Sequence, residues 1–115
     1  MEADKPESKW DCMLSGTTAT VAVIHEKKLF ISHVGDSRAV LGVIEGNEVK
    51  PRLLIRDHKP THSDERKRIA KKGGQVRKDP DDVCHRIYHR GKPYPGLNMS
   101  RSIGDLVSTS LGVTS

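Results

Sequence analysis

The chain has 115 residues, which is enough for one domain and too few for two. Hydrophobic residues make up 34% and aromatic residues 3%, and no apolar run approaches the roughly 20 residues of a membrane-spanning helix, so we expect no membrane partner. The first eleven residues are polar and include four acidic side chains, which predicts no signal peptide. Two cysteines make no disulfide framework, so we expect reduced thiols and a cytoplasmic or nuclear protein.

The charge is distributed unevenly along the chain. Residues 1–55 contain 7 Lys/Arg and 8 Asp/Glu, whereas residues 56–115 contain 13 and 7. A basic half suggests anionic partners, although a solvated charged face gives the same pattern. Only Tyr88 and Tyr94 supply aromatic rings in that half, which is too few for base stacking. We therefore expect no nucleic-acid partner.

Four apolar, β-branched runs follow a polar lead-in over residues 1–13. These runs, separated by short polar turns, lie at residues 17–24, 29–34, 37–44 and 49–55. They predict an antiparallel meander over residues 17–55 within a partial domain over residues 14–115. Because the strands are apolar on both faces, they need cover on both sides. The rest of this chain offers one short charged helix, so we expect that cover to come from another chain or from a longer protein.

That helix is predicted over residues 62–72. Thr61 opens it with Asp64 in a capping box, acidic residues fill its first turn, and Gly73 ends it. A short strand is expected at residues 75–77. Residues 78–96 are rich in Asp, Pro, Gly and His and predict a long excursion, which in compact domains is often functional.

Several polar residues are candidates for chemistry. Asp36 follows Gly35 between two strands, where a carboxylate either binds a hard cation or accepts backbone N–H groups as a turn residue. A second cluster offers either a metal or acid–base site, or an ordinary loop and helix cap; its members are Asp57, His58, Asp64 and Glu65.

Two further groups of residues invite a ligand. His85 and His89 have the spacing of a zinc pair beside Cys84, but no Cys-x₂-Cys pair completes the ligand set. Arg101 lies between small residues and can either bind phosphate or pair with Asp105. The sequence contains neither a glycine-rich phosphate loop nor a nucleophile elbow.

The segments become more informative when they are read together and in order. The series is Ser15-Gly16-Thr17-Thr18-Ala19; Val34-Gly35-Asp36-Ser37-Arg38-Ala39-Val40-Leu41; Asp57-His58-Lys59-Pro60; Glu65 with Arg68-Ile69 and Gly73-Gly74-Gln75-Val76; and Leu97-Asn98-Met99-Ser100-Arg101-Ser102-Ile103-Gly104-Asp105. It resembles the metal-dependent, type 2C family of protein serine/threonine phosphatases over roughly residues 15–105.

This resemblance implies an α+β fold: part of a two-sheet antiparallel β-sandwich flanked by helices, incomplete in this chain. It also implies Mg²⁺ or Mn²⁺ holding a water that attacks the phosphorus of phosphoserine or phosphothreonine in a phosphoprotein substrate. Asp36 matches an aspartate that can hold an accessory metal in relatives. Residues 78–96 match a variable flap beside the active site, on the substrate side. Arg101 and Asp105 match a motif that is structural in the family.

The chain also departs from the family pattern. The Asp-Gly-His-Gly segment, which precedes the Ser-Gly-Thr-Thr-Ala strand in relatives, has no match here, and neither do the later Asp-Gly-x-Trp-Asp and Asp-Asn segments. Asn98 stands where relatives usually carry a small alanine. We therefore expect a central fragment of a catalytic domain that is inactive alone and contains no catalytic residue of its own. The alternative is a non-catalytic pseudophosphatase that acts as an interaction module.

Overall fold

Two β-hairpins form the amino-terminal half of the computed structural model, which describes residues 11–115. After a two-residue strand β1 (Gly16–Thr17), β2 (Ala19–His25) pairs with β3 (Lys28–Val34). Likewise β4 (Val40–Glu45) pairs with β5 (Glu48–Leu53), and both pairs are antiparallel. Residues 1–10 of the expected polar lead-in lie outside the described residues.

The carboxy-terminal half packs one helix and short strands together. Its elements in order are α1 (Ser63–Lys71), β6 (Gly74–Arg77), β7 (Arg86–His89), β8 (Pro95–Leu97), β9 (Ile103–Gly104) and a 3₁₀ helix at Leu106–Leu111. Strands β6, β7 and β8 form an antiparallel sheet, and β9 pairs with β1. Helix α1 packs against β6, and the 3₁₀ helix packs against β7 and β8.

The predicted meander is wrong at the junction between β3 and β4. The described strands form two separate two-stranded sheets there, not one sheet. The chain turns away after β3, and the N–H of His58 donates to the carbonyl of Gly35 at 2.9 Å. The strand expected from residue 37 begins only at Val40, where the N–H of Leu54 donates to the carbonyl of the preceding Ala39 at 3.0 Å.

Helix α1 lies where the sequence predicts it, but it begins differently. The N-cap residue is His62, which makes no side-chain capping bond, so the capping box expected from Thr61 and Asp64 is absent. The Asp64 carboxylate instead accepts hydrogen bonds from Arg56 at 2.8 Å. Gly73 follows the helix at φ +84°, a left-handed conformation that favours glycine and ends the helix as predicted.

The region predicted as a flap, residues 78–96, contains regular structure. It includes all of β7 and the first residues of β8. Ile87 of β7 is 0% exposed, because its side chain packs against Ile69 and Leu111 in the core. The middle of residues 78–96 is therefore packed into the core.

The apolar core is small and lies entirely in the carboxy-terminal half. Ile69, Ile87, Leu111 and Val113 are buried together, with partly buried apolar neighbours packed against them. Two of these four residues, Leu111 and Val113, come from residues 107–115, which are mostly small and polar. They become core because the 3₁₀ helix returns that tail to the sheet.

The hairpins, by contrast, expose their apolar side chains. Ile24, Ile44 and Val49 are 79%, 76% and 71% exposed. The Cα radius of gyration is 18.3 Å, whereas a compact domain of this length has about 13 Å. Residues 11–115 thus supply no layer over these hairpins. Within the same residues, no helix is long and apolar enough to cross a membrane.

We predict that stability depends on the core and not on the hairpin tips. Replacing the buried Ile87 by alanine is expected to lower the free energy of unfolding by about 2–5 kcal/mol. The matched change Ile44→Ala, on an exposed side chain, should alter the free energy of unfolding by no more than about 0.5 kcal/mol. Urea unfolding followed by circular dichroism measures both; equal losses would contradict this division of the chain.

Candidate functional site

Residues 57–59, here called the hub loop, join segments that are distant in the sequence. The N–H of Gly35 donates to Nδ1 of His58 at 3.1 Å, beside the backbone bond between the same residues described above. The N–H of Ser100 donates to the carbonyl of His58 at 2.8 Å. One residue of the hub loop thus holds both the turn after β3 and the segment that precedes β9.

Gly35 is required at its position by both conformation and space. Its φ is +97°, and a Cβ there would lie 2.3 Å from Cγ2 of Thr18. A side chain would therefore clash as well as force an unfavourable backbone. Next to it, the hydroxyl oxygens of Thr18 and Ser37 are 2.7 Å apart and share a hydrogen bond. The strand that begins at Ala19 is thereby joined to the same turn.

Asp36 lies two residues beyond the end of β3, at the strand end that the sequence indicated. Its carboxylate forms an ion pair with the ammonium of Lys59 from the hub loop. The two side chains are 21% and 31% exposed, so the pair is partly withdrawn from water. The candidate cation ligand therefore already has a positively charged partner from within the chain.

A second ion pair adjoins the first. The guanidinium Nε of Arg38 lies 3.0 Å from each carboxylate oxygen of Asp57, and a terminal nitrogen lies 2.9 Å from one of them. Hydrogen bonds from Arg38 hold the pKa of the Asp57 carboxyl below its usual range. The two acids and two bases of these pairs have no net formal charge.

His58 stacks on His33 inside the junction. The ring centroids are 4.3 Å apart and the planes differ by 4°. Nε2 of His33 donates to the carbonyl of Arg56 at 2.9 Å. Burial, together with the positive charge of Arg101, lowers the pKa of His58. Acceptance of the Gly35 N–H by Nδ1 requires a neutral His58 whose remaining proton lies on Nε2.

Glu65 is a buried carboxylate at the centre of a polar network. The side chain is 1% exposed and accepts hydrogen bonds from Arg68 at 2.6 and 2.9 Å. It also accepts from Arg101 at 2.8 Å and from the hydroxyl of Ser100. Burial raises the pKa of Glu65, but these donors outweigh burial and hold the pKa well below its usual range.

The structure divides the predicted polar cluster among three places. Asp57 and His58 lie in the hub loop, Asp64 is exposed beside Arg56, and Glu65 is buried in its own network. The cluster is therefore not one metal or acid–base site.

The pair of Arg101 with Asp105, one of the two alternatives that the sequence offers for Arg101, is also absent. Arg101 forms an ion pair with Glu65, whereas the carboxylate of Asp105 accepts a hydrogen bond from the hydroxyl of Ser102. The N–H of Asp105 donates to the carbonyl of Ser15 at 2.9 Å. Asp105 thus fixes β9 beside β1, and both residues of the motif make structural contacts.

The described residues do not form a metal centre by themselves. Within residues 11–115, no group of three or more His, Cys, Asp or Glu side chains is placed to hold a metal ion. Cys84 lies against Asp82, with its N–H 3.2 Å from a carboxylate oxygen, instead of forming a zinc site with His85 and His89. The carboxylate of Asp36, the candidate cation ligand, forms an ion pair with the ammonium of Lys59.

Comparison with protein-family models matches residues 1–114 to protein phosphatase 2C. The chain belongs to the protein phosphatase 2C family. Two similar proteins are Probable protein phosphatase 2C 61 of Arabidopsis thaliana and Probable protein phosphatase 2C 12 of Oryza sativa subsp. japonica. Each is 40% identical over 105 residues; the matches cover 90% and 89% of this chain, and 32% and 27% of the relatives. The chain thus spans about a third or less of the length of these curated relatives.

Solved structures place this phosphatase 2C chain in the same fold. The serine-threonine phosphatase 2C from Toxoplasma gondii superposes with a TM-score of 0.74 and 28% identity, over 86% of this chain and 34% of that one. A C. elegans sex determining protein superposes with a TM-score of 0.65 and 26% identity, over 87% and 22%. The expected family and the incomplete α+β fold with antiparallel sheets are confirmed.

Glu65 of this phosphatase 2C chain has a role that its sequence context does not indicate. The sequence offers it as part of a metal or acid–base site, or of a loop and helix cap, whereas the structure buries it in a polar network. Its spacing carried a usable signal, because Ile69 lies four residues later and therefore on the same helix face. A carboxylate that shares the face of a buried isoleucine must be buried with compensating donors.

We predict that Glu65→Gln is strongly destabilising, since two guanidinium groups lose their buried partner. The expected loss in the free energy of unfolding is about 3–5 kcal/mol. The neighbouring change Asp64→Asn removes only an exposed ion pair and should have little effect. Denaturant unfolding of both variants measures this; a similar small effect in each would contradict the buried network.

Stability should also fall in acid for the same reason. The pKa of Glu65 is lower in the folded chain than its ordinary value of 4.5, so its contribution is complete above that value and is lost as the pH falls below it. The free energy of unfolding should decrease from about pH 5 to about pH 3 in the wild type, with a smaller slope in Glu65→Gln. Urea unfolding at several pH values measures the slopes; identical slopes would show that Glu65 titrates normally.

Proposed function

We propose that this chain is the central part of the catalytic domain of a protein serine/threonine phosphatase, which hydrolyses phosphoserine and phosphothreonine in phosphoproteins. The observation that carries the proposal is the phosphatase 2C match over residues 1–114. Its likeness to the Toxoplasma serine-threonine phosphatase 2C supports the same conclusion.

The proposal includes Mg²⁺ or Mn²⁺, which would supply an activated water and neutralise the phosphoryl oxygens. Because residues 11–115 contain no cluster of three or more metal-ligating side chains, no step of hydrolysis is assigned to them. Asp36 is the residue that we place on the metal side, as an accessory ligand. The remaining ligands would come from the parts of the domain that the relatives possess beyond this segment.

The described residues have two roles in this proposal. The hub loop binds the backbone of Gly35 before Asp36, and the hydroxyl of Ser37 after it shares a hydrogen bond with Thr18, so the Asp36 carboxylate has a defined position. Residues 78–96 form the substrate side: this segment is anchored by the buried Ile87 and exposes Lys78, Arg90 and Lys92. Exposed cations suit a substrate that carries a phosphate group.

We predict that the isolated 115-residue chain does not hydrolyse a small phosphoester such as p-nitrophenyl phosphate in the presence of Mn²⁺. The reason is the missing metal cluster. A colorimetric assay across a Mn²⁺ titration measures this turnover. Robust Mn²⁺-dependent turnover by the purified chain would contradict the proposal that the remaining metal ligands come from other parts of the domain.

A segment exchange tests the proposed activity itself. Residues 11–115 replace the matched segment of the Toxoplasma phosphatase 2C, and release of phosphate from a phosphothreonine peptide is measured. We expect the chimera to remain active, whereas the same chimera with Gly35→Val should lose most activity because that side chain clashes with Thr18. A folded chimera that binds the phosphopeptide without hydrolysing it would favour the pseudophosphatase alternative.

A further inference from the structure

We propose that the carboxy-terminal half of α1 is a docking surface for an acidic segment of a partner polypeptide, one rich in Asp and Glu side chains. The surface, here called the basic face, consists of four exposed cationic residues: Arg66, Lys67, Lys71 and the C-cap residue Lys72. The inference goes beyond the proposed phosphatase activity. Its test measures binding without catalysis, so the two can fail separately.

The first support is that the basic face has no partner of opposite charge among residues 11–115. Eight other cationic side chains of these residues form ion pairs, and none of the four belongs to them. The exposed acid of α1, Asp64, is already paired with Arg56 at 2.8 Å, and Glu65 is buried. The sequence contains no acidic residue between Arg66 and Lys78. The positive charge of the basic face is therefore not neutralised within the described residues.

The second support is that α1 carries this charge at a cost to its own stability. Lys67 and Lys71 are four residues apart, so they lie on the same side of the helix, and like charges at this spacing destabilise it. Cations in the last turn are favoured by the helix dipole, but Arg68 and Lys71 already fill that role, and the effect falls off within one turn. Arg66 and Lys67 precede the last turn. Their charge is therefore not used by the fold and is available to a partner.

The third support is that the basic face lies on a fixed platform and continues beyond the helix. Ile69, on the opposite side of α1, is 0% exposed and packs with Ile87 in the core. Gly74 of β6 pairs with His89 of β7, so the exposed Arg90 leaves β7 close to the end of α1. Because this surface is already ordered, a partner that binds to it loses little free energy in ordering the protein side.

The composition of the basic face favours a polypeptide over other polyanions. After the first turn of α1, Ala70 is the only exposed residue without a charge, so the helix has no exposed apolar side to enter a membrane surface. The sequence contains no aromatic residue from 61 to 87, so the basic face lacks the rings on which nucleic-acid bases stack. Carboxylates need neither feature, since complementary charge alone guides an acidic segment to a basic surface.

The test is the binding of a fluorescein-labelled hexaglutamate peptide to the full 115-residue chain, followed by fluorescence anisotropy at low salt. We expect binding that a matched hexaglutamine peptide does not show and that is lost at about 1 M NaCl, where the screening length falls to about 3 Å. In Lys67→Gln/Lys71→Gln the dissociation constant should rise about tenfold, while glutamine preserves helix propensity. The matched control is Lys27→Gln/Lys28→Gln, which removes two exposed cations between β2 and β3 and should leave the affinity unchanged.

Two further measurements locate the site and compare other anions. In the wild type, hexaglutamate should shift the backbone amide signals of residues 66–72 in NMR spectra and leave those of residues 26–28 unchanged. A thymidine oligonucleotide of equal charge and vesicles of anionic phospholipid should bind more weakly than hexaglutamate. Unaltered affinity in a folded Lys67→Gln/Lys71→Gln chain, shifts confined to residues outside 66–72, or equal or tighter binding of the oligonucleotide or the vesicles would each overturn the proposal. If the variant does not fold, the wild-type shifts and the comparison of anions decide.

Discussion

The buried carboxylate of Glu65 is the constraint on which the ordered half of this chain depends. A charge that is 1% exposed must be compensated within the protein, and three donors from two segments do so. Arg68 extends the network further, donating to the carbonyls of Ser100 and Gly112 at 2.8 Å each. One carboxylate thereby fixes α1 against the segment before β9, while Arg68 reaches the tail that supplies Leu111 to the core.

The hub loop continues this path toward the candidate site. Ser100 is held at two points: its hydroxyl donates to the carboxylate of Glu65, and its N–H donates to the carbonyl of His58. His58 in turn holds Gly35, and Lys59 holds Asp36. A continuous set of polar contacts thus runs from the helix to the turn after β3. Segments that are far apart in the sequence therefore meet at this junction.

Local features of the fold followed from the sequence, whereas its long-range pairings did not. Apolar, β-branched runs between polar turns indicate the strands of both hairpins, and Gly73 marks the end of α1, because these signals act between near neighbours. The partner of Arg101, Glu65, lies 36 positions away, and the core role of Leu111 depends on Ile69 and Ile87, which are also distant in the sequence. No local pattern contains that information, and the sequence accordingly offers phosphate or Asp105 as the partner of Arg101 but not Glu65. The ordered motif series did predict the family, since it samples the whole junction at once.

The account divides the chain into a half held by Glu65 and a small core, and two hairpins whose apolar faces lack cover within residues 11–115. Backbone amide hydrogen exchange measures this division most directly, because protection reports local opening residue by residue. The account predicts slowest exchange in β6, β7 and α1 and fast exchange in the β4–β5 hairpin. In Glu65→Gln, protection should fall in α1 and leave that hairpin unchanged. Slowest exchange in the hairpins, together with unaltered protection of α1 in Glu65→Gln, would contradict it.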